Sequence, residues 1–432
     1  MISHDEESPF LHVDPEAYSY PIRFGEAIGI ELEYMIVDQH TLDVRPIADE
    51  LLRSVTGCYA TDAEPGGPEF NVGWSNELAL HIIELKTSRP AEAAFATYIG
   101  RFQSDVRLIN EKLSSFNARL MPTAMHPWMD PARDLKLWPH EYGPVYHAYN
   151  RIFGCGGHGW GNLQSTHINL PFGNDEEFGR LHAAIRLILP LLPAIAASSP
   201  IVDGRVTGAL DSRMIAYRGN AARIPSITAR VVPEPVFVRS EYEEAILQRM
   251  YTDIMPHDPD GVLQHEWLNS RGAIARFERG SIEIRVLDIQ ECPSADLAIL
   301  GLALRVIEGL MEGRLSDPVS QRAIETDVLA EALECCERDG FETIIRHHGW
   351  LAALGMNSGS ATFGEVWQHL VDAVLGHEAD RVFRSDIDCI LNEGCLARRI
   401  LKATGPEPDR DRLGTVYAAL CDCLQAGRMF VP

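Results

Sequence analysis

Two short runs, far apart in the chain, alternate apolar and charged residues with the period of a strand, and each carries its charges on a single face. In the run 29–38, Ile30, Leu32, Tyr34 and Ile36 share one face, and Glu31 and Glu33 share the other. In the run 280–288, Ile282, Ile284 and Val286 oppose Glu283 and Arg285. Carboxylates two residues apart on one strand face stand about 7 Å from each other, repel, and are costly to bury unpaired. A multivalent cation relieves both penalties. The pattern predicts a sheet with one apolar face covered by helices and one polar face that carries the acids.

The rest of the chain supplies elements for such a body. Residues 1–23, with Pro9, Pro15 and Pro21, read as a leader without regular structure. A strand over 26–38 is followed by a loop over 62–76, rich in Gly, Pro and acids, and an apolar strand near 79–87. Ser88 to Phe116 reads as one long helix with Pro90 near its start. Strands are expected over 119–125 and 164–171, a proline-bearing helix over 175–199, and a hairpin from 273–278 and 281–289. Residues 203–240, rich in Arg and Pro, are expected to cover a site. The glycine-rich stretch 154–161 lacks a Walker pattern and reads as a flexible lid or connector, with Cys155 incidental. From Pro293 the pattern is mainly helical. The sum is an α+β fold around an antiparallel sheet: a main body over 24–315, with a helical C-terminal region over 316–432 packed on it.

Charge narrows the function. A net charge of −24 argues against nucleic acid or an anionic membrane as partner. It leaves an anionic substrate open, because bound divalent ions reverse the local sign. No run of 18 apolar residues is evident, and the acidic N-terminus lacks the basic and apolar regions of a signal peptide, so a cytoplasmic location is expected. Nine cysteines in a chain of this length suggest free thiols; the pair 335–336 and the Cys421–Cys423 spacing do not match a zinc or C-x-x-C site.

Glu31, Glu33, Glu84 and Glu283 lie in strand-like segments, with Glu77 nearby. His167 lies in another strand, with Asn169 on its face. Hard oxygen ligands in this number suit Mg²⁺ or Mn²⁺, and several such ions suit a nucleoside triphosphate. Arg285, beside Glu283, is placed to stabilise a transferring phosphoryl group. Taken singly, a strand glutamate is usually a solvated charge, and a lone histidine such as His167 is more often structural or on the surface. Glu77 and Glu84 are an odd number apart, so one regular strand would turn them to opposite faces; sharing a site requires a loop or bulge between them.

An ordered set of motifs resembles the carboxylate–amine ligases of glutamate–cysteine ligase family 2, which are related to glutamine synthetase. The set comprises Gly29-Ile30-Glu31-Leu32-Glu33, Ile83-Glu84-Leu85-Lys86-Thr87, Met125-His126-Pro127, Thr166-His167-Ile168-Asn169, Ala197-Ser198-Ser199-Pro200 and the E-x-R strand at Glu283. The resemblance spans about residues 25–310. It departs from the family pattern at Leu32, where a third acid is common, and at Asn169, where many members carry a second histidine. The resemblance implies a glutamine-synthetase-like catalytic body whose sheet floors an ATP and metal site. Glu31, Glu33, Glu77, Glu84, His167 and Glu283 would be the metal ligands, with His167, Asn169 and Glu283 toward the nucleotide. Arg285 would stabilise phosphoryl transfer, and Arg213 would contact acyl substrate or phosphate. The implied reaction activates a carboxylate, such as that of L-glutamate, as an acyl phosphate; cysteine or another amine then displaces the phosphate. A homo-oligomer is compatible with family behaviour. A guanidino-kinase-like phosphotransferase and a non-catalytic homologue are the competing expectations.

Overall fold

A computed structural model of the chain describes residues 22–92 and 94–432. The leader expected over 1–23 lies almost wholly outside the described residues.

The predicted sheet is present. Its strands are β1 (Gly29–Asp38), β2 (Asp62–Ala63), β3 (Gly73–Asn76), β4 (Ile82–Lys86), β5 (Ala118–Met121) and β6 (Ser165–Pro171). A separate ribbon of β7 (Ile201–Val202) and β8 (Arg205–Val206) follows, and then the hairpin of β9 (Ala273–Arg276) and β10 (Ser281–Asp288) completes the main sheet. The order is β2-β3-β4-β1-β6-β10-β9, with β5 beside the far end of β1, and every pairing is antiparallel.

Alternation along β1, β6 and β10 divides the two faces as expected. Ile30, Leu32, Tyr34 and Ile36 join Ile168, Leu170, Ile282 and Ile284 in one buried cluster. Helix Phe95–Ser114 contributes Phe102, Val106 and Ile109, helix Asp175–Ile188 contributes Phe178, Leu181 and Ile185, and helix Pro293–Met311 contributes Leu297, Leu300 and Leu304. Each such side chain contributes about 1.5–3 kcal/mol when fully buried. Helix Pro293–Met311 is buried on nearly every side, as a helix apolar all round must be. The run Asp175–Ala196 is also long and apolar enough to span a membrane by composition, but it is buried in this core.

The helical tail packs on those helices. Trp350 and Trp367 donate their indole N–H groups to the Leu187 and Leu191 carbonyls at 3.1 and 2.9 Å, beside the 3-10 turn Leu189–Leu191 that interrupts the proline-bearing helix. Helix Arg410–Ala426 covers the far end of β1, setting Leu413, Val416 and Leu420 against Met35, Val37 and Met121.

Several boundaries differ from the sequence reading. The segment 62–76 holds β2 and β3, because Asp62 and Ala63 pair with Ser75 and Trp74. The expected helix from Ser88 begins only at Phe95, because Ile28 and Ala91 exchange backbone hydrogen bonds and keep the chain extended. The strand expected over 79–87 is confined to β4, with a loop from Glu77 to His81 before it. Helix Gly143–Phe153 was not foreseen. The stretch 154–161 is not a simple flexible loop: Gly154, at φ 73°, caps that helix, and His158–Gly161 is a helical turn. A side chain at Gly159 would place Cβ 2.9 Å from the Ala216 carbonyl, so this turn requires glycine to pack on helix Ser212–Gly219.

Candidate active site

Strand register assembles the acids. Glu31 sits opposite His167, Glu33 opposite Glu84, and Glu283 opposite Asn169. The side chains of Glu31, Glu33, Glu84, His167 and Glu283 line one cleft of about 350 Å³, on the face of the sheet away from helices Phe95–Ser114, Asp175–Ile188 and Pro293–Met311. Glu77, in the loop after β3, reaches the same cleft. That loop resolves the parity problem, since Glu77 and Glu84 belong to different segments.

One end of the cleft centres on His167. Its Nδ1 lies 2.8 Å from a Glu31 oxygen, and its Nε2 lies 2.8 Å from Ser165 Oγ. Asn169 donates to the other Glu31 oxygen at 3.0 Å. Glu31, His167 and Glu283 each place a ligand atom within 4.8 Å of the others. Burial disfavours the charge on His167, but the Glu31 hydrogen bond and the charges of Glu33, Glu31 and Glu283 outweigh it and raise the imidazole above its usual pKa. Burial likewise opposes ionisation of Glu31, yet His167, Lys86 and Arg279 hold that carboxyl well below the usual range.

The second end holds Glu33, Glu77 and Glu84. Glu33 accepts from the Ser165 N–H at 2.6 Å and from Ser165 Oγ at 2.9 Å. Glu84 accepts from Ser75 Oγ at 2.5 Å and pairs with Lys86 at 3.1 Å. Glu77 has less help: burial, and then the charges of Glu33 and Glu84, push its carboxyl well above the usual range. Burial also raises Glu84, although Lys86 opposes the rise. This is the electrostatic signature of a site short of positive charge.

Arg285 and Arg276 both pair with Glu283, the latter at 3.4 Å. Burial works against the Arg285 charge, but Glu283 more than compensates, and the guanidinium stays firmly protonated. Arg285 Nε is buried with no hydrogen-bond partner among the described residues. Arg213 reaches the cleft wall, but its guanidinium is occupied: Nε donates to Asp288 at 2.5 Å, and both terminal nitrogens donate to the Arg285 carbonyl at 3.3 Å.

Opposite the sheet the wall is aromatic. Tyr146, Tyr149, Trp160 and Trp267 line it, and Tyr149 stands 5.0 Å from Trp160 and 5.9 Å from Trp267 between ring centres. The Tyr146 hydroxyl accepts from Asn76 Nδ2 at 3.1 Å, next to Glu77. Sequence reasoning missed this wall, although Tyr142, Tyr146, Tyr149 and Phe153 recur at helical spacing. It also missed Ser165 and Lys86, each two residues from a chosen ligand on the same strand face. Cys155 is buried, with its thiol pushed up to about 12 by burial, which suits an inert core position.

The sequence model of glutamate–cysteine ligase family 2 matches residues 27–419, and the chain belongs to that family. An uncharacterized protein of Archaeoglobus fulgidus is 31% identical over 94% of this chain and 100% of its own length. A Salinispora tropica protein provisionally named glutamate–cysteine ligase 2 is 26% identical over 88% of this chain and 91% of its own. Among solved structures, the Francisella tularensis glutamate–cysteine ligase in complex with AMP has a TM-score of 0.58 at 13% identity, covering 94% of this chain and 90% of that one. A bifunctional glutathione synthetase of Pasteurella multocida has a TM-score of 0.59 at 14% identity, covering 93% of this chain and 52% of that one. These likenesses show the fold, which is the antiparallel-sheet α+β class expected from the sequence.

Proposed function

We propose that the protein is an ATP-dependent carboxylate–amine ligase that forms an amide bond, with L-glutamate as the donor and cysteine or another amine as the acceptor. The observation that carries this reading is the convergence of Glu31, His167 and Glu283 beside Arg285 on one sheet face. Family membership and the AMP held by the Francisella tularensis ligase support it.

The donor set fits a divalent cation. Two carboxylates and an imidazole within 4.8 Å suit Mg²⁺ or Mn²⁺, and the field that draws a proton onto His167 would equally draw a metal ion. Glu33, Glu77 and Glu84 form a second acidic group with the same shortage of positive charge. Bound there, divalent ions supply charge neutralisation for phosphate and carboxylate oxygens.

The protein's own groups divide the remaining work. Arg285, its terminal nitrogen oriented by Glu283, stabilises charge on the γ-phosphate as the donor carboxylate attacks it. That step gives an acyl phosphate and ADP. The acceptor amine then attacks the acyl carbon, phosphate leaves, and the amine proton passes to solvent or a cleft carboxylate. The aromatic wall and buried strands keep water from hydrolysing the acyl phosphate. Asn169 fixes Glu31, and Ser165 links Glu33 to His167. The reading places these small-molecule reactions in the cytoplasm, where the nine free thiols are at home.

The test is ADP release with MgATP and L-glutamate across a panel of amino acids and amines, with product masses read in parallel. A γ-glutamyl amide is expected with one acceptor. ADP release with a stable phosphorylated product and no need of amine would instead identify a phosphotransferase.

A further inference from the structure

Between β6 and β10 the register slips. Ile284 faces Ile168 and Leu287 faces Thr166, so three steps of β10 span two of β6. The extra residue falls at Arg285–Val286, a β-bulge beside the cleft. A regular strand would turn Glu283, Arg285 and Leu287 toward the cleft. With the bulge, Leu287 goes into the core and Asp288 comes opposite Ser165, on the side of the acids.

A closed set of buried polar groups holds this bulge. The Arg285 carbonyl receives both terminal nitrogens of Arg213 at 3.3 Å. Arg213 Nε donates to one Asp288 oxygen at 2.5 Å. The other Asp288 oxygen accepts from the Ser198 N–H and from Ser199 Oγ, both at 2.8 Å. Ser199 Oγ in turn accepts from the Arg213 N–H at 3.1 Å. On the far side, the Arg285 N–H donates to the Gly272 carbonyl at 2.9 Å. Arg213, Asp288 and Ser199 are at most 2% exposed.

Buried ion pairs are poor sources of stability, since apolar groups of like volume serve as well or better. This one grips the backbone of the residue whose guanidinium faces the cleft. We propose that Asp288, Arg213 and Ser199 are positioning residues that set the aim of Arg285 at the terminal phosphate of ATP. The proposal rests on the ligase reading above, and gives the Ser198-Ser199 motif a role in it.

The experiment is calorimetric titration of the full chain with MgATP and with MgADP, each variant being checked by its melting curve. The wild type should prefer MgATP, and Arg285→Met should remove most of that preference. Asp288→Asn and Arg213→Met should each reduce it by roughly tenfold, the effect of misaiming one charge-assisted contact. Neither should reduce it further in the Arg285→Met background, because both act through Arg285. Arg213→Lys should not restore it, since a point-like ammonium lacks the planar fork that meets Asp288 through Nε and the Arg285 carbonyl through both terminal nitrogens. Ser199→Ala, the mildest change, should shift it in the same direction and serves if Asp288→Asn does not fold. A folded variant with the wild-type preference, or losses that add in full to that of Arg285→Met, would overturn the bracket alone. A wild type that binds neither nucleotide would overturn the ligase reading itself.

Discussion

His167 shows how much of the chemistry is decided by single neighbours. Alone, a strand histidine in a core is more often structural than functional. Here its two ring nitrogens are engaged by Glu31 and Ser165, and three carboxylates surround it. Replacing Glu31 by Gln keeps the shape and the acceptor that Asn169 meets, turns an NH₂ donor toward His167 Nδ1, and removes one ligand charge. Glu31→Gln should therefore weaken MgATP binding by at least tenfold while leaving the melting temperature nearly unchanged. Arg285→Ala should behave differently. Its proposed partner is the terminal phosphate, whose charge grows in the transition state, so kcat should fall by about 10²–10³, well beyond a roughly tenfold rise in KM for ATP. Steady-state kinetics in both variants check the assignment, and unchanged kinetics in both would remove it. The places of Glu31, Glu33, Glu84, His167 and Glu283 on the cleft face were legible because each follows the period-two rule on a strand; Glu77 reaches the cleft from a loop that the rule does not describe. Arg276 was not legible, because it meets Glu283 only through the register of the β9–β10 hairpin.

At the scale of elements, the most demanding contact is the one behind the bulge in β10. A methyl group at Gly272 would lie 2.4 Å from Val286 Cγ1, 2.9 Å from Leu189 and 3.1 Å from Val231. Val231 is itself held at φ 66°, an unusual state for a β-branched residue, and its carbonyl accepts the Gly272 N–H at 2.7 Å. Gly272→Ala should overpack this junction and destabilise the fold by about 1–3 kcal/mol. The urea midpoint should drop accordingly, and the MgATP preference should fall with it, since the same junction supports Arg285. An unchanged midpoint would mean that the strands shift apart without cost. The bulge could not be read from sequence: the alternation Ile282, Ile284, Val286 runs on unbroken, and only pairing with β6 reveals the slip. Long strands and apolar helices were legible because periodicity alone defines them. The two-residue β2 and the late start of helix Phe95–Ser114 were not, because pairing partners distant in sequence decide them.

Across the whole molecule, burial of neutral histidines ties stability to pH. His126, within a motif shared with the family, makes a complete set of bonds as a neutral ring: Nε2–H donates to the Leu42 carbonyl at 2.8 Å, and Nδ1 accepts from the Trp128 and Met129 N–H groups at 3.2 and 3.0 Å. Burial lowers its pKa to about 4. Burial also lowers His81 and His182 to about 3, helped at His182 by the charge of Arg186. Each folded-state value lies below the unfolded value of about 6.5, so between the two the unfolded chain binds more protons. The stability these rings contribute is present above that pH and is lost as the pH falls. At pH 5 each should have lost on the order of 2 kcal/mol, and three together approach the net stability of an ordinary domain. Glu77, Glu84, Asp211, Asp296 and His167 are shifted upward and favour the folded chain as the pH falls, so the histidine loss is read as a difference between wild type and a histidine variant from pH 6.5 to 5. His182→Phe keeps the stacking on Phe178 but abolishes the hydrogen bond to the Val236 carbonyl. It should lower stability at pH 8 by about 1–3 kcal/mol, and relative to wild type it should regain on the order of 2 kcal/mol between pH 6.5 and 5. A slope that His182→Phe leaves intact would show that the ring is already protonated in the folded protein, and that its burial is offset by a partner other than Val236.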